Sequence, residues 1–167
     1  VFSLRVDQEA GAPPTAFAYA LLPHAAQDRV RSYARRAPVR VLANSPRIQA
    51  VCHDGLGILA VNTVAPGTQH TDRLTLDGPA SVVLQETRDG ALSLAVADPT
   101  TLRDRVVVTV HGRPARAVAA DDGVRVRRVP GGTRIEVTTR QAYGRSFRVS
   151  LEPVRQARYP AEFPPNL

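Results

Sequence analysis

The feature that most constrains this chain is the alternation of apolar and polar residues over many short segments. Successive side chains of a β-strand point to opposite faces, so a period of two indicates strands with one buried face. The alternation predicts strands at Phe2–Val6, Phe17–Leu22, Val39–Asn44, Arg47–His53, Leu56–Thr63, Ala80–Glu86, Ala91–Ala97, Arg105–His111, Ala115–Ala119, Val124–Val129, Thr133–Thr139 and Arg145–Leu151. An apolar stripe at helical spacing predicts one α-helix over Ala25–Arg36, which Pro38 ends. The predicted fold class is therefore all-β, an antiparallel β-sandwich region with one short α-helix.

Turn residues support the strand assignments. Asp89-Gly90 and Gly131-Gly132 each lie between two alternating segments and predict hairpins with tight type I′ turns. At the second hairpin, a two-residue loop pairs Val126 with Val137 on one face and Arg127 with Glu136 on the other.

The predicted domain organisation has three parts. The polar, turn-rich segment Ala65–Asp72 separates two apolar regions and is the best internal boundary. We expect residues 1–66 to be the terminal strands and helix of a larger β-domain, and residues 73–152 to be a compact C-terminal sandwich. The proline-rich residues 153–167 predict an extended tail.

The chain is strongly basic. All 22 basic residues are arginine, the formal net charge is +7 and the sequence pI is near 10.9. Such a charge attracts polyanions, and we expect a weak, salt-sensitive association with acidic polysaccharide. The arginines are spread over the whole length, so most of them are interpreted as a solvated surface.

The residue types that carry chemistry are scattered. Cys52 is the single cysteine and sits in an apolar strand, which favours a small buried hydrophobe. His24, His53, His70 and His111 fall in four separate contexts without the spacing of a zinc site. Tyr19 and Tyr33 are interpreted as a core aromatic and a helix-packing residue. The sequence therefore predicts no catalytic residue, no metal site and no cofactor, and it assigns no substrate-binding residue.

Three segments together resemble a known family. They are Phe17–Pro23, the helix and strands that run through Asn44 to Ile48–Val51, and the hairpin from Ser81 into Asp98-Pro99-Thr100. Their order and spacing resemble the end of the central β-domain and the final β-sandwich of polysaccharide lyases of the hyaluronate, chondroitin AC and xanthan lyase family.

The resemblance implies a function for the parent protein. Similar lyases remove the proton α to a uronic carboxylate and eliminate the neighbouring sugar, using side chains of an upstream α-helical toroid. The chain would then be the non-catalytic β-region of a secreted, extracellular carbon-oxygen lyase, and this region alone would be inactive. Its expected partners are the upstream helical domain of the same polypeptide and acidic polysaccharide. A start at Val1, without methionine or leader, fits a piece of a longer polypeptide. No nucleic acid or membrane partner is expected.

Two alternatives stay open. A stand-alone carbohydrate-binding module would use exposed aromatic platforms, whereas this chain has no Trp and 5% aromatic residues. A basic nucleic-acid-binding β-domain would need aromatics interleaved with polar groups on one sheet.

Overall fold

The computed structural model describes residues 7, 11, 13, 16–112 and 114–154. The chain forms two compact units, Val1–Arg36 and Ala37–Leu167. The predicted strand Phe2–Val6 and most of the predicted tail, from residue 155 onward, lie outside the described residues. In the described part of the chain, no helix has the length and apolarity needed to cross a membrane.

The first unit contains helix α1, Gln27–Arg35. Asp28 in the first turn and Arg35 in the last turn match the polarity of the helix dipole. The predicted strand Phe17–Leu22 is wrong, because this stretch has no regular secondary structure. Alanine alternates with the large apolar residues there, and alanine favours strands weakly. Tyr19, expected in a core, is 66% exposed and stacks on Phe17.

The second unit consists of twelve strands in the described part of the chain. They are β1 Val39–Asn44, β2 Ile48–His53, β3 Ile58–Thr63, β4 Thr68–His70, β5 Leu74–Asp77, β6 Ala80–Glu86, β7 Leu92–Ala97, β8 Arg105–His111, β9 Ala115–Ala120, β10 Val124–Val129, β11 Gly132–Thr138 and β12 Phe147–Pro153. A single 3-10 turn, Asp54–Leu56, joins β2 to β3. The sequence did not predict β4 and β5, which are only three and four residues long.

The strands form two antiparallel sheets that enclose one core. The seven-stranded sheet has the order β1-β2-β3-β6-β7-β12-β9, and the five-stranded sheet has the order β10-β11-β8-β5-β4. Alternate residues of both sheets meet in one buried apolar cluster, in which Leu74, Leu76, Leu94, Ile135 and Leu151 are almost completely covered. This arrangement confirms the predicted all-β sandwich.

The division into residues 1–66, 73–152 and 153–167 stays a prediction. In the structure, β3 pairs with β6 from Ile58↔Gln85 to Thr63↔Ala80. Leu59 and Val61 of β3 belong to the same core cluster as the later strands. Segments on both sides of the predicted boundary therefore share a sheet.

Both predicted hairpins exist, but their turns differ from the prediction. After β6, Thr87 and Ala91 close a loop in which Gly90 has φ +84°, so the loop has three residues and one left-handed position. Between β10 and β11 the loop is Pro130-Gly131, and Val126 pairs with Ile135 instead of Val137. Likewise Arg127 pairs with Arg134 instead of Glu136. A shift of two residues keeps every side chain on its predicted face.

Gly132 explains the shifted register. A Cβ at this residue would lie 2.1 Å from the carbonyl oxygen of Val110, where β11 approaches β8. The glycine is therefore required inside the strand, next to β8. The turn itself uses Pro130 followed by Gly131 at φ +75°, a typical type II combination.

Candidate functional site

Two neighbouring clefts of the second unit are lined by several polar side chains. The first has a volume of about 400 Å³ and the second of about 360 Å³. Both are lined by Asp72, Arg73 and Glu86, which stand where the ends of the two sheets face each other. The first cleft also reaches His111, and the second reaches Arg40, Cys52, His53 and Asp54. We take these clefts as the candidate site.

An ion pair separates the two clefts. Arg73 precedes β5, Glu86 ends β6, and Nη2 of Arg73 lies 2.6 Å from Oε2 of Glu86. The two side chains are 46% and 38% exposed, so water screens much of their attraction. The pair joins the two sheets at this end and partly neutralises both charges.

A second ion pair lies at the edge of the second cleft. Nε and Nη2 of Arg40 donate to the two carboxylate oxygens of Asp54 at 2.9 and 3.0 Å. These hydrogen bonds are the main reason why the pKa of Asp54 lies below its ordinary value. Sγ of Cys52 lies 3.5 Å from Oδ1 of the same carboxylate. Asp54 is therefore held as an anion with its oxygens engaged.

Cys52 itself differs in part from its prediction. It packs against the core, as expected of a small hydrophobe, but it is half-buried. Its thiol donates to a carboxylate, whereas a reactive thiolate needs positive surroundings.

His53 occupies a structural position at the start of the 3-10 turn. Its Nδ1 accepts the backbone N–H of Leu56 at 3.2 Å. A ring nitrogen that accepts carries no proton, so the neutral ring has its proton on Nε2. His53 can therefore offer a hydrogen-bond donor to the second cleft, and it is not arranged as a base.

The structure brings together two histidines that the sequence left in separate contexts. Nδ1 of His70 lies 3.0 Å from the hydroxyl of Thr75, and that hydroxyl lies 2.7 Å from Nε2 of His111. Nδ1 of His111 lies 3.2 Å from the carbonyl oxygen of Asp72, which can only accept. Both ring nitrogens of His111 are thus engaged. His24 belongs to the first unit, at φ +56°.

Apart from the carboxylate of Asp72, the charged side chains that line both clefts are engaged within the protein. A general base needs a free lone pair in reach of the substrate. In the two clefts the carboxylates of Asp54 and Glu86 are ion-paired, and the ring nitrogens of His111 are occupied. Among the described residues no group of three His, Cys, Asp or Glu side chains is arranged to hold a metal ion. The assignment of no catalytic and no metal-binding residue stays a prediction.

The sequence comparison identifies the kind of sandwich. Residues 40–107 match the C-terminal beta-sandwich domain of polysaccharide lyase family 8. A hyaluronate lyase of Thermasporomyces composti is 36% identical over 135 residues, which are 79% of this chain and 17% of that protein. A xanthan lyase of Bacillus sp. (strain GL1) is 27% identical over 147 residues, which are 88% of this chain and 16% of that protein.

Solved structures show the same fold. A Paenibacillus xanthan lyase superimposes with a TM-score of 0.75 at 24% identity, covering 87% of this chain and 14% of that one. A Streptomyces coelicolor A3 chondroitin AC lyase in complex with chondroitin sulphate gives a TM-score of 0.68 at 24% identity, covering 80% of this chain and 18% of that one.

The molecule belongs to the class of antiparallel β-sandwich domains that accompany polysaccharide-cleaving enzymes. More narrowly, the chain is a C-terminal region of a polysaccharide lyase of family 8. It spans about one sixth of the length of the curated relatives it matches.

Proposed function

We propose that this chain is the non-catalytic β-region of a secreted lyase that degrades a uronic-acid polysaccharide by β-elimination. In the parent enzyme it braces the catalytic α-helical domain. The observation that carries this proposal is the match of residues 40–107 to the family's C-terminal sandwich. The names of the two curated relatives, a xanthan lyase and a hyaluronate lyase, support the class of substrate.

The geometry of the clefts supports the absence of catalysis. Elimination needs a base at the carbon next to the carboxylate and a group that neutralises that carboxylate. Arg40 and Arg73 are each paired with a carboxylate of the protein, that of Asp54 and that of Glu86. The same ion pairs hold strand ends together, a role suited to a rigid support.

The isolated chain should therefore have no eliminase activity. The test is to incubate it with hyaluronan, chondroitin and xanthan and to follow the ultraviolet absorbance of the unsaturated uronate. We expect no sustained increase above the blank. Steady product formation by the pure chain would contradict the proposal.

The bracing role is tested in the longer enzyme that contains this chain. Leu94 is 1% exposed in the core, whereas Leu102 is 87% exposed. Leu94→Ala should destabilise the sandwich by about 2–5 kcal/mol and lower the temperature at which eliminase activity is lost. Leu102→Ala removes the same atoms from the surface and should leave that temperature unchanged. Equal inactivation temperatures for both variants would show that the catalytic domain does not depend on this region.

A further inference from the structure

The outer face of the five-stranded sheet carries a continuous polar row. The strand register aligns one residue from each strand, in the order Arg127, Arg134, Thr109, Thr75 and His70. Their strand neighbours Ile135, Val108 and Leu74 are buried in the core, so the row faces outward. Four strand spacings give it a length of about 19 Å. We call these five residues the arginine row.

The basic end of the row is only partly neutralised by the protein. This face carries four arginines, Arg105, Arg125, Arg127 and Arg134, and the carboxylate of Glu136 lies between them. Oε1 of Glu136 lies 3.4 Å from Nη1 of Arg105, and Oε2 lies 4.0 Å from Nη2 of Arg134. The other carboxylate on the face, Asp77, is paired with Arg103 at 3.2 Å. In the described part of the chain, Arg125 and Arg127 form no ion pair.

The facing arginines favour an anionic ligand. Arg127 lies directly opposite Arg134 in the ladder, and like charges in this position destabilise a sheet. An acidic group bound between them would relieve the repulsion. The planar guanidinium forms paired hydrogen bonds to carboxylates and sulfates, so both groups fit this end of the row.

The other end of the row suits sugar hydroxyls. The hydroxyl of Thr75 is the centre of the hydrogen-bonded chain from His70 to His111. With Nδ1 of His111 donating to Asp72, the neutral ring accepts from Thr75, and Thr75 accepts from His70. His70 is exposed, and the half-buried Thr109 lies between this group and the arginines.

We propose that the arginine row binds an acidic polysaccharide along the outer face of the five-stranded sheet. The choice of a polysaccharide rests on the proposed function. It also rests on composition, since the five strands contain no Phe, Tyr or Trp on which nucleic acid bases could stack. The row lies outside the two clefts, apart from the contact of Thr75 with His111.

Binding of the 167-residue chain to chondroitin sulfate and to hyaluronan, by calorimetry at low salt, tests this proposal. Neutral dextran and a DNA duplex serve as comparison polymers. The variant Arg127→Thr with Arg134→Thr should weaken polysaccharide binding about tenfold or more, since two charge-assisted contacts are lost. Its salt dependence should also become shallower, because fewer counterions are released.

A matched control removes the same charge elsewhere. Arg128 lies on β10 next to Arg127 but on the opposite side of the strand, and Arg148 lies on the seven-stranded sheet. Both are exposed, and Arg128→Thr with Arg148→Thr lowers the formal charge of +7 by two, as the first double variant does. We expect less than a threefold loss from this control, roughly the effect of net charge alone.

A third variant is expected to strengthen binding, a result that unfolding of the variant could not produce. Glu136→Gln removes the carboxylate beside the row, and polysaccharide affinity should rise. The proposal would be overturned if the two double variants lost equal affinity, or if the unmodified chain bound no polysaccharide. It would also be overturned if the unmodified chain bound DNA more tightly than chondroitin sulfate, or if the Glu136→Gln chain bound polysaccharide more weakly. These binding measurements do not involve eliminase activity, so a failure of the binding proposal would leave the proposed function standing.

Discussion

At the scale of single residues, the Asp98-Pro99-Thr100 turn holds a buried carboxylate that is fully engaged by hydrogen bonds. Asp98 is 2% exposed. Its carboxylate accepts from the N–H and hydroxyl of Thr100 at 2.9 and 2.6 Å and from the N–H of Arg103 at 2.8 Å. Three donors of the loop between β7 and β8 thus depend on one buried anion.

Replacing Asp98 should be costly. Asp98→Ala leaves these partly buried donors without their partner, and we expect a loss of about 2–3 kcal/mol in the free energy of unfolding. Asp122→Ala, in an exposed turn, should change it by less than about 0.5 kcal/mol. Urea unfolding of both variants measures the difference, and similar midpoints would show that the loop does not need the carboxylate.

The same carboxylate predicts a dependence on pH. Burial raises the pKa of Asp98, but the hydrogen bonds from Thr100 and Arg103 outweigh it, so the pKa lies below its ordinary value. A depressed pKa stabilises the fold above the unfolded-state pKa of about 3.9, and this contribution disappears as the pH falls through the folded-state value. The difference in unfolding free energy between the unmodified chain and the Asp98→Asn chain should therefore be largest near neutral pH and shrink below pH about 4. A difference that stays constant from neutral pH to pH about 3 would contradict this.

At the scale of elements, Gly132 determines how β11 meets β8. Gly132→Ala places a methyl group against the backbone carbonyl of Val110, which cannot move aside as the end of a flexible side chain could. We expect destabilisation of about 3 kcal/mol, at the upper end for overpacking. Gly55→Ala is the control, since its added methyl would lie 3.6 Å from the His53 ring, an ordinary contact. Thermal melts of the two variants should differ clearly, and a Gly132→Ala chain as stable as the control would show that the strands can separate to admit the methyl group.

Alternation was sufficient to predict most strands, because each strand has one face in the core. β1, β6, β8 and β10 have the predicted ends. It could not predict β5, whose Leu74 and Leu76 give only two apolar positions. Alternation also predicted a strand at Phe17–Leu22, where none forms. A strand needs a neighbouring strand to pair its backbone groups as well as an alternating sequence.

The candidate site was much less predictable than the fold. Arg40 meets Asp54 because β1 pairs with β2, and Arg73 meets Glu86 because the chain crosses between the sheets. The link from Thr75 to His111 spans 36 residues of sequence. Such contacts follow from strand order, which alternation does not contain. The arginine row likewise depends on the register of five strands.

At the scale of the whole molecule, the strand order predicts how stability is distributed. β1 lies at the edge of its sheet and has no buried residue, whereas β7 and β8 are central and strongly buried. Edge strands open locally more often than central ones. In hydrogen exchange, we expect β1 and the segment Phe17–Leu22 to exchange faster than β7 and β8.

The same measurement tests the predicted domain boundary. Leu59 and Val61 place β3 in the shared core, so β3 should be protected as well as its neighbour β6. A boundary near residue 66 would instead make β1, β2 and β3 open together, before β6. Exchange of β3 together with β1 and β2, faster than that of β6, would contradict the shared core, and protection of β1 equal to that of β7 and β8 would contradict the expected opening of the edge strand.

The position of β10 has a consequence for solubility. As the last strand of its sheet, it leaves backbone groups along one side that a strand of another molecule could pair with. Its sequence Val-Arg-Val-Arg-Arg-Val places three arginines on this edge, and charged edge residues discourage such pairing. A polyanion that covered these charges would also remove this protection. Crowded on a long acidic polymer, the chains would then be free to join edge to edge and leave solution as a condensed phase.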